Sequence, residues 1–276
     1  MQLSPLYGAK PVLTLDGDPA TVAAPAIRQR RRLATLLSSL SPDQWSHASR
    51  CEGWTVRDVI VHLDSTNFFW RASIAAGVAG TPTQFLATFD PVASPAALVD
   101  QTPDDAPTVL AKFVASTDAL VAQWESLDAA GWTAQAEAPP GHISVSALSH
   151  HALWDSWVHE RDVLLPLGID PELYDDEIVA CLRYAAGLGP ALGRCKGELR
   201  HGTLAVDAHD PDVSVVVDIG DQVAVRAGAD PADVTLSGDA VELLEAMSFR
   251  TTLPVSVATE SEWMLQGLAR LFDLPV

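Results

Sequence analysis

The sequence predicts an α + α/β two-domain protein, with an all-helical N-terminal domain followed by a smaller α+β domain. Two observations carry this. Up to roughly residue 195 the apolar residues recur in long segments at helical spacing, and beyond roughly residue 200 they alternate with period two. A chain of 276 residues is also long enough to bury two modest cores without disulfide staples.

The elements follow in order. The first 30 residues carry Pro5, Gly8, Pro11, Gly17, Pro19 and Pro25 and read as an irregular lead-in. From Ala24 to Leu40, the apolar Ile27, Leu33, Leu36, Leu37 and Leu40 recur with helical period, and Ser41-Pro42-Asp43 then opens a short turn carrying Trp45. After Ser49–Trp54, Thr55 stands as an N-cap with Asp58 three residues on, a variant of the capping box, which starts a helix over Val56–Ala76. Residues 77 to 107 are rich in Thr, Pro, Ser and Ala, hold Phe85, Leu86 and Phe89 as their large apolar group, and read as a long crossing connection or lid. Val109, Leu110, Phe113, Leu120, Val121 and Trp124 mark a helix over Thr108–Leu127. A loop from Ala136 to Gly141, with Pro139-Pro140, leads into a helix over Val145–Leu165 that Pro166 and Gly168 stop. Four helices of these lengths suggest a four-helix bundle over residues 1–170, joined by a helix within 171–195 to a domain at 196–276. In that domain Thr203–Asp207, Val213–Ile219 and Gln222–Arg226 read as strands, with Gly220-Asp221 as a hairpin turn. Asp233–Leu236 adds a strand, Gly238–Met247 a helix, Pro254–Ala258 a last strand and Glu260–Phe272 a closing helix.

Composition narrows the function. The formal charge of −19 repels phosphate backbones and anionic lipid, so nucleic acid and membrane surfaces are poor partners. Cys51, Cys181 and Cys195 are odd in number and lack C-x-x-C spacing, which fits a reducing cytoplasm rather than a disulfide framework. Met1–Leu6 lacks the basic and apolar regions of a signal peptide, and no segment approaches the roughly 20 apolar residues of a membrane span.

The chemistry concentrates in His151-Ala-Leu-Trp-Asp155-Ser-Trp-Val-His159-Glu-Arg-Asp162. His151, Asp155 and His159 are four apart and share one helix face. Adjacent members can chelate one ion, whereas the outer two stand about 12 Å apart along the axis. A third ligand must come from elsewhere, and His62, mid-helix among apolar residues, is the donor that fits. Two imidazoles and a carboxylate leave coordination positions open, as a catalytic zinc site does. Plainer readings compete. A His on an apolar face is usually a satisfied core residue, and an Asp and His at helical spacing form ion pairs. Glu160, Arg161 and Asp162 read as a structural ion-pair network, Cys51 as an inert thiol, and His142 and His150 as surface or outer groups.

Two stretches also resemble a known family. Leu40-Ser-Pro-Asp-Gln-Trp45, followed by Ser49-Arg-Cys-Glu-Gly-Trp54-Thr-Val-Arg-Asp58-Val-Ile-Val-His62, is similar to the N-terminal signature of the mycothiol-dependent maleylpyruvate isomerase family, within the DinB-like superfamily of metal-binding four-helix bundles. Asp155-x-Trp157-x-His159-Glu160-Arg161-Asp162, followed by Pro166-Leu-Gly168, resembles its second signature. Ala232–Ala240 and the helix after it resemble the family's C-terminal sterol-carrier-like α+β domain. The resemblance implies His62, Asp155 and His159 as metal ligands, with Asp155 where the isomerase itself has the longer Glu. It also implies an anion-contacting, catalytic role for Arg250, although Ser248-Phe249-Arg250 stands where relatives show Gly-Arg. The implied cofactors are a divalent metal, zinc fitting the ligand set best, and mycothiol, the low-molecular-weight thiol of actinobacteria, as cosubstrate. The implied activity is S-transfer to, or thiol-assisted isomerisation of, a small electrophile by a monomer or homodimer. The maleylpyruvate-type cis-trans isomerase and a non-catalytic metal- or ligand-binding protein are the alternatives.

Overall fold

Side-chain caps start three of the long helices. The structure, a computed structural model, describes residues 3–272. α1 (Ala23–Ser38) precedes the single turn α2 (Pro42–Trp45), where Ser41 and Gln44 close a capping box. α3 (Val56–Val78) begins at the expected reciprocal pair, with the Asp58 amide donating to Thr55 Oγ1 and the Thr55 amide to the Asp58 carboxylate. α4 (Ala93–Asp100), α5 (Ala106–Glu125) and α6 (Ala129–Thr133) follow. Asp105 caps α5 and Ser144 caps α7 (Val145–Leu164), each accepting the amide three residues on. α8 (Asp175–Cys195) carries Asp175, Asp176 and Glu177 in its first turn, where negative charge complements the helix dipole. α9 (Ala240–Met247) and α10 (Gly267–Leu271) complete the helices.

α3 packs on α5 and α7, and α1 packs on the same two. The apolar stripes dictate this. Leu33 and Leu37 of α1, Ile60, Leu63 and Ile74 of α3, and Phe113, Leu120 and Trp124 of α5 are all almost wholly buried, each worth about 1.5–3 kcal/mol or more. α7 is buried nearly all round, so its polar residues His150, His151, Ser156, Glu160 and Asp162 are interior groups that need partners. Arg32, itself nearly buried, meets this need for Glu160 and for Glu177 of α8.

The strands are β1 (Leu13–Leu15), β2 (Gln135–Ala138), β3 (Gly141–Ser144), β4 (Gly202–His209), β5 (Val213–Ile219), β6 (Val223–Ala227) and β7 (Val234–Asp239). Five form one sheet in the order β1-β6-β5-β4-β7. β4, β5 and β6 are an antiparallel meander, β7 runs parallel to β4, and β1 runs parallel to β6. α8 lies against β1, β5 and β6 on one side and touches α1 and α7 on the other. Gly187 permits that approach, because a Cβ there would stand 2.6 Å from Val225 Cγ2 and 2.7 Å from Leu13 Cδ1. One hydrophobic cluster consequently runs from Trp70 and Trp154 through Tyr184 to Val225 and Leu244.

Four sequence expectations are corrected. The lead-in holds β1, whose short Leu-Thr-Leu strand is built by pairing with a segment more than 200 residues away, which no local pattern reveals. Residues 77–107 hold a 3-10 turn at Phe85–Thr88 and the helix α4, with Pro95 inside its first turn, where a proline is tolerated. Residues 136–141, expected to be a loop, fall within the β2–β3 hairpin, which runs from Gln135 to Ser144. Its Glu137 is wholly buried and accepts hydrogen bonds from Tyr7, Thr83 and the amides of Phe85 and Leu86, so a strand of poor intrinsic propensity is held by side-chain bonds. Pro254–Ala258 forms no strand; Val255 and Val257 pack on the core without a ladder, and the closing helix is reduced to a 3-10 turn and α10. α10 starts at Gly267, where any Cβ would lie 1.9 Å from the Gly189 carbonyl oxygen of α8. Residues 1–2 of the expected N-terminal segment and 273–276 of the C-terminal domain lie outside the described residues.

Candidate metal centre

α3 and α7 lie side by side, and the face α7 turns toward α3 carries Asp155 and His159, one helical turn apart. His62 reaches across from α3. Its Nε2 lies 3.9 Å from Asp155 Oδ1, and His159 Nε2 lies 3.6 Å from the same oxygen. The two imidazole rings are 5.0 Å apart and nearly perpendicular. One donor atom from each of the three residues falls within 4.8 Å of the other two, a spread that one cation can bridge. The structure thus brings together His62, Asp155 and His159 and leaves His151 outside the set.

The electrostatics suit a cation. Burial pushes Asp155 up, but the neighbouring imidazoles of His62 and His159 outweigh it and hold the carboxyl well below the usual range. Its second oxygen, Oδ2, is buried without a hydrogen-bond partner among the described residues. A buried carboxylate oxygen lacking a donor calls for a partner that is not protein, and a metal ion or ordered water supplies one. His159 shows the complementary shift: burial pulls it down, yet Cys51, Asp162 and Asp155 together raise it to about 10, so without a cation this ring carries a proton.

Behind His159 stands a second set of groups. Asp162 Oδ2 lies 3.0 Å from His159 Nδ1, 3.3 Å from Cys51 Sγ and 2.7 Å from Arg250 Nη2. Arg250 Nε donates to the other oxygen at 2.8 Å, and Arg50 Nε approaches it at 3.2 Å. Arg50 and Arg161 also share Glu245 of α9, each at 2.5 Å. Arg250, expected at an anion contact, is therefore placed with its fork on Asp162, one residue removed from the donor cluster. Asp162 itself, read from sequence as part of a structural ion-pair network, is fully buried, pairs with Arg50 and Arg250, and also holds a cluster imidazole. Its i,i+3 spacing from His159 was the signal. Cys51, read as inert, lies 3.7 Å from His159 Nδ1, a proximity with no local signature.

Two other features escape the sequence. Arg30 of α1 is wholly buried; Nη2 donates to the Ala152 carbonyl, while Nε and Nη1 have no partner among the described residues. Burial pulls this guanidinium down to about 10 against the charge of Asp155. His142 and His150, expected as surface or outer groups, are buried. His142 bonds to the Thr83 carbonyl, and His150 Nδ1 bonds to the Ser146 carbonyl at 2.9 Å.

Two imidazoles and a carboxylate, held between neighbouring helices with coordination positions to spare, define a candidate mononuclear metal centre in a mixed helical and sheet protein. The chain belongs to the family of the mycothiol maleylpyruvate isomerase N-terminal domain, whose profile matches residues 27–164. That range contains all three donors and excludes Arg250. Among solved structures, the mycothiol-dependent maleylpyruvate isomerase is similar at a TM-score of 0.59 and 15% identity, over 85% of this chain and 89% of that one. A histidine-to-alanine mutant of that isomerase is similar at the same TM-score and 14% identity, with the same coverage. At such identity the likeness shows the fold. No curated protein matches significantly.

Proposed function

We propose that the protein is a metal-dependent enzyme that activates mycothiol for transfer to, or thiol-assisted isomerisation of, a small electrophile. The observation that carries this reading is the convergence of His62 Nε2, Asp155 Oδ1 and His159 Nε2 beside a buried carboxylate oxygen with no protein donor. The family's name and that of the similar isomerase support mycothiol as the thiol. In the same reading α1, α3, α5 and α7 are a DinB-like four-helix bundle within residues 1–170. The helix within 171–195 connects it to a sterol-carrier-like module at 196–276, into whose sheet β1 crosses. The protein works in the cytoplasm; no helix among the described residues is long and apolar enough to cross a membrane.

His62, Asp155 and His159 would hold the cation, for which zinc is the best match to two nitrogens and one oxygen. When bound, it takes the place of the thiol proton and makes a thiolate available at neutral pH. The other roles belong to the chain. Asp162 accepts from His159 Nδ1–H and so keeps the Nε2 lone pair on the cluster side. Arg250 and Arg50 balance the buried charge of Asp162, which makes Arg250 a positioning residue. Elemental analysis of protein purified without an affinity tag is expected to find about one equivalent of zinc or a similar ion, lost in His159→Ala. Titration calorimetry is expected to show mycothiol binding by the loaded form. A protein that binds neither metal nor mycothiol would sink the reading.

A further inference from the structure

His151 stands one helical turn before Asp155 on α7, and Asp155 pairs with His62 and His159 rather than with it. Its ring is enclosed by Trp70 of α3, Trp154 of α7 and Tyr184 of α8, at centroid separations of 5.0, 5.3 and 5.3 Å. On the α8 side, Nδ1 lies 2.6 Å from the Tyr184 hydroxyl.

Counting donors and acceptors fixes the tautomer. Tyr184 is wholly buried, and burial together with the charge of Asp155 raises its phenol well above the ordinary value, so the hydroxyl keeps its hydrogen. Among the described residues His151 Nδ1 is the one partner recorded for that hydroxyl. Were Nδ1 protonated, the hydroxyl hydrogen would be stranded in the core at a cost of about 1–3 kcal/mol. The hydroxyl therefore donates, Nδ1 accepts, and the ring proton sits on Nε2. Burial pulls the imidazole down to about 4, so it stays neutral near pH 7. Tyr184 holds Nδ1 from the α8 side, and Nε2 has no protein partner among the described residues. The ring is close enough to Asp155 and His62 for both charges to act on it.

We propose that His151 presents Nε2–H beside the His62–Asp155–His159 cluster as a fixed, neutral hydrogen-bond donor that binds an oxygen atom, carbonyl or carboxylate, of the small electrophile. This rests on the reading that the electrophile reacts at that cluster. A neutral donor suits an oxygen that gains negative charge when a thiolate adds to a neighbouring carbon: it stabilises the charge by hydrogen bonding while the proton stays on nitrogen. Tyr184 is then a positioning residue, acting by holding the tautomer.

The test has two arms. In the metal-free protein, long-range nitrogen–proton NMR of labelled histidine is expected to find the His151 proton on Nε2, and Tyr184→Phe is expected to release a mixture of tautomers. A proton on Nδ1 in the unsubstituted protein, or an unchanged tautomer in Tyr184→Phe, overturns the assignment. In the second arm, formate is titrated into the cobalt(II)-loaded protein and followed by visible absorption. His151→Phe is expected to weaken formate about tenfold with cobalt affinity changed less than about threefold, and His151→Gln, which keeps an N–H, to recover most of the loss. Equal formate affinity in the unsubstituted protein and His151→Phe overturns the donor role. Failure of the unsubstituted protein to take up cobalt overturns the metal reading and the ligand role with it, and is told apart because the tautomer is measured without metal.

Discussion

Asp162 Oδ2 lies 3.0 Å from His159 Nδ1, three residues along the same helix, and this contact decides which nitrogen of the imidazole faces Asp155. The carboxylate is fully buried and is itself held by Arg250 from beyond α9 and Arg50 from the loop before α3. The C-terminal part of the chain thus acts on the candidate centre through one carboxylate.

Asp162→Asn keeps an acceptor for His159 but loses the charge that orients the ring and balances two arginines. Metal affinity is expected to fall about 10–100-fold, with little change in helix content. Competition with a chromophoric chelator measures it, and an affinity equal to that of the unsubstituted protein would remove Asp162 from the account.

Arg250→Met removes two donors from a buried carboxylate that keeps Arg50 and His159. The metal-free protein is expected to lose about 2–3 kcal/mol in urea denaturation, less than a buried pair with no other support. Arg250→Lys restores charge without the fork and is expected to recover about half of the loss.

Phe249 holds a left-handed backbone conformation, with φ +56°. Both Phe249→Ala and Phe249→Gly delete the partly buried ring, so their difference reads the backbone alone. The glycine variant is expected to be more stable than the alanine variant by about 1 kcal/mol, the reverse of the order inside a helix. Equal melting temperatures would contradict it.

Burial lowers His150 to about 4, against an ordinary value of 6.5. The unfolded chain therefore binds the extra proton first as pH falls. The stabilisation from keeping this ring neutral is complete above about pH 6.5 and is lost as pH falls through about 4, for a total of roughly 3–4 kcal/mol. His159, raised to about 10, contributes in full below pH 6.5 and stays constant in this window. The difference between the stability–pH profiles of the unsubstituted protein and His150→Phe isolates the effect; parallel profiles between pH 6.5 and 4 would refute it.

Much of the candidate site was legible because its signals are local. Helical spacing puts Asp155 and His159 on one face, and a histidine among apolar residues at 62 marks an interior polar group that needs a partner. The capping box that starts α3, the Ser144 cap that starts α7 and the apolar residues that orient both are local too. Cys51 and Arg250 were not legible as neighbours of His159, because they approach it from 108 residues away in one case and through Asp162, 88 residues off, in the other.

The sequence by itself determined the long helices, the strand-rich C-terminal region and the three residue types that can chelate a cation, since each depends on periodicity and capping within a few turns of chain. Only the tertiary structure decided that β1 joins the sheet, that Gln135–Ala138 is a strand, and that the fork of Arg250 rests on Asp162. These depend on pairing partners and burial supplied by distant segments, where a hydrogen bond satisfied in the interior outweighs the weak local preference of Leu-Thr-Leu or Gln-Ala-Glu-Ala.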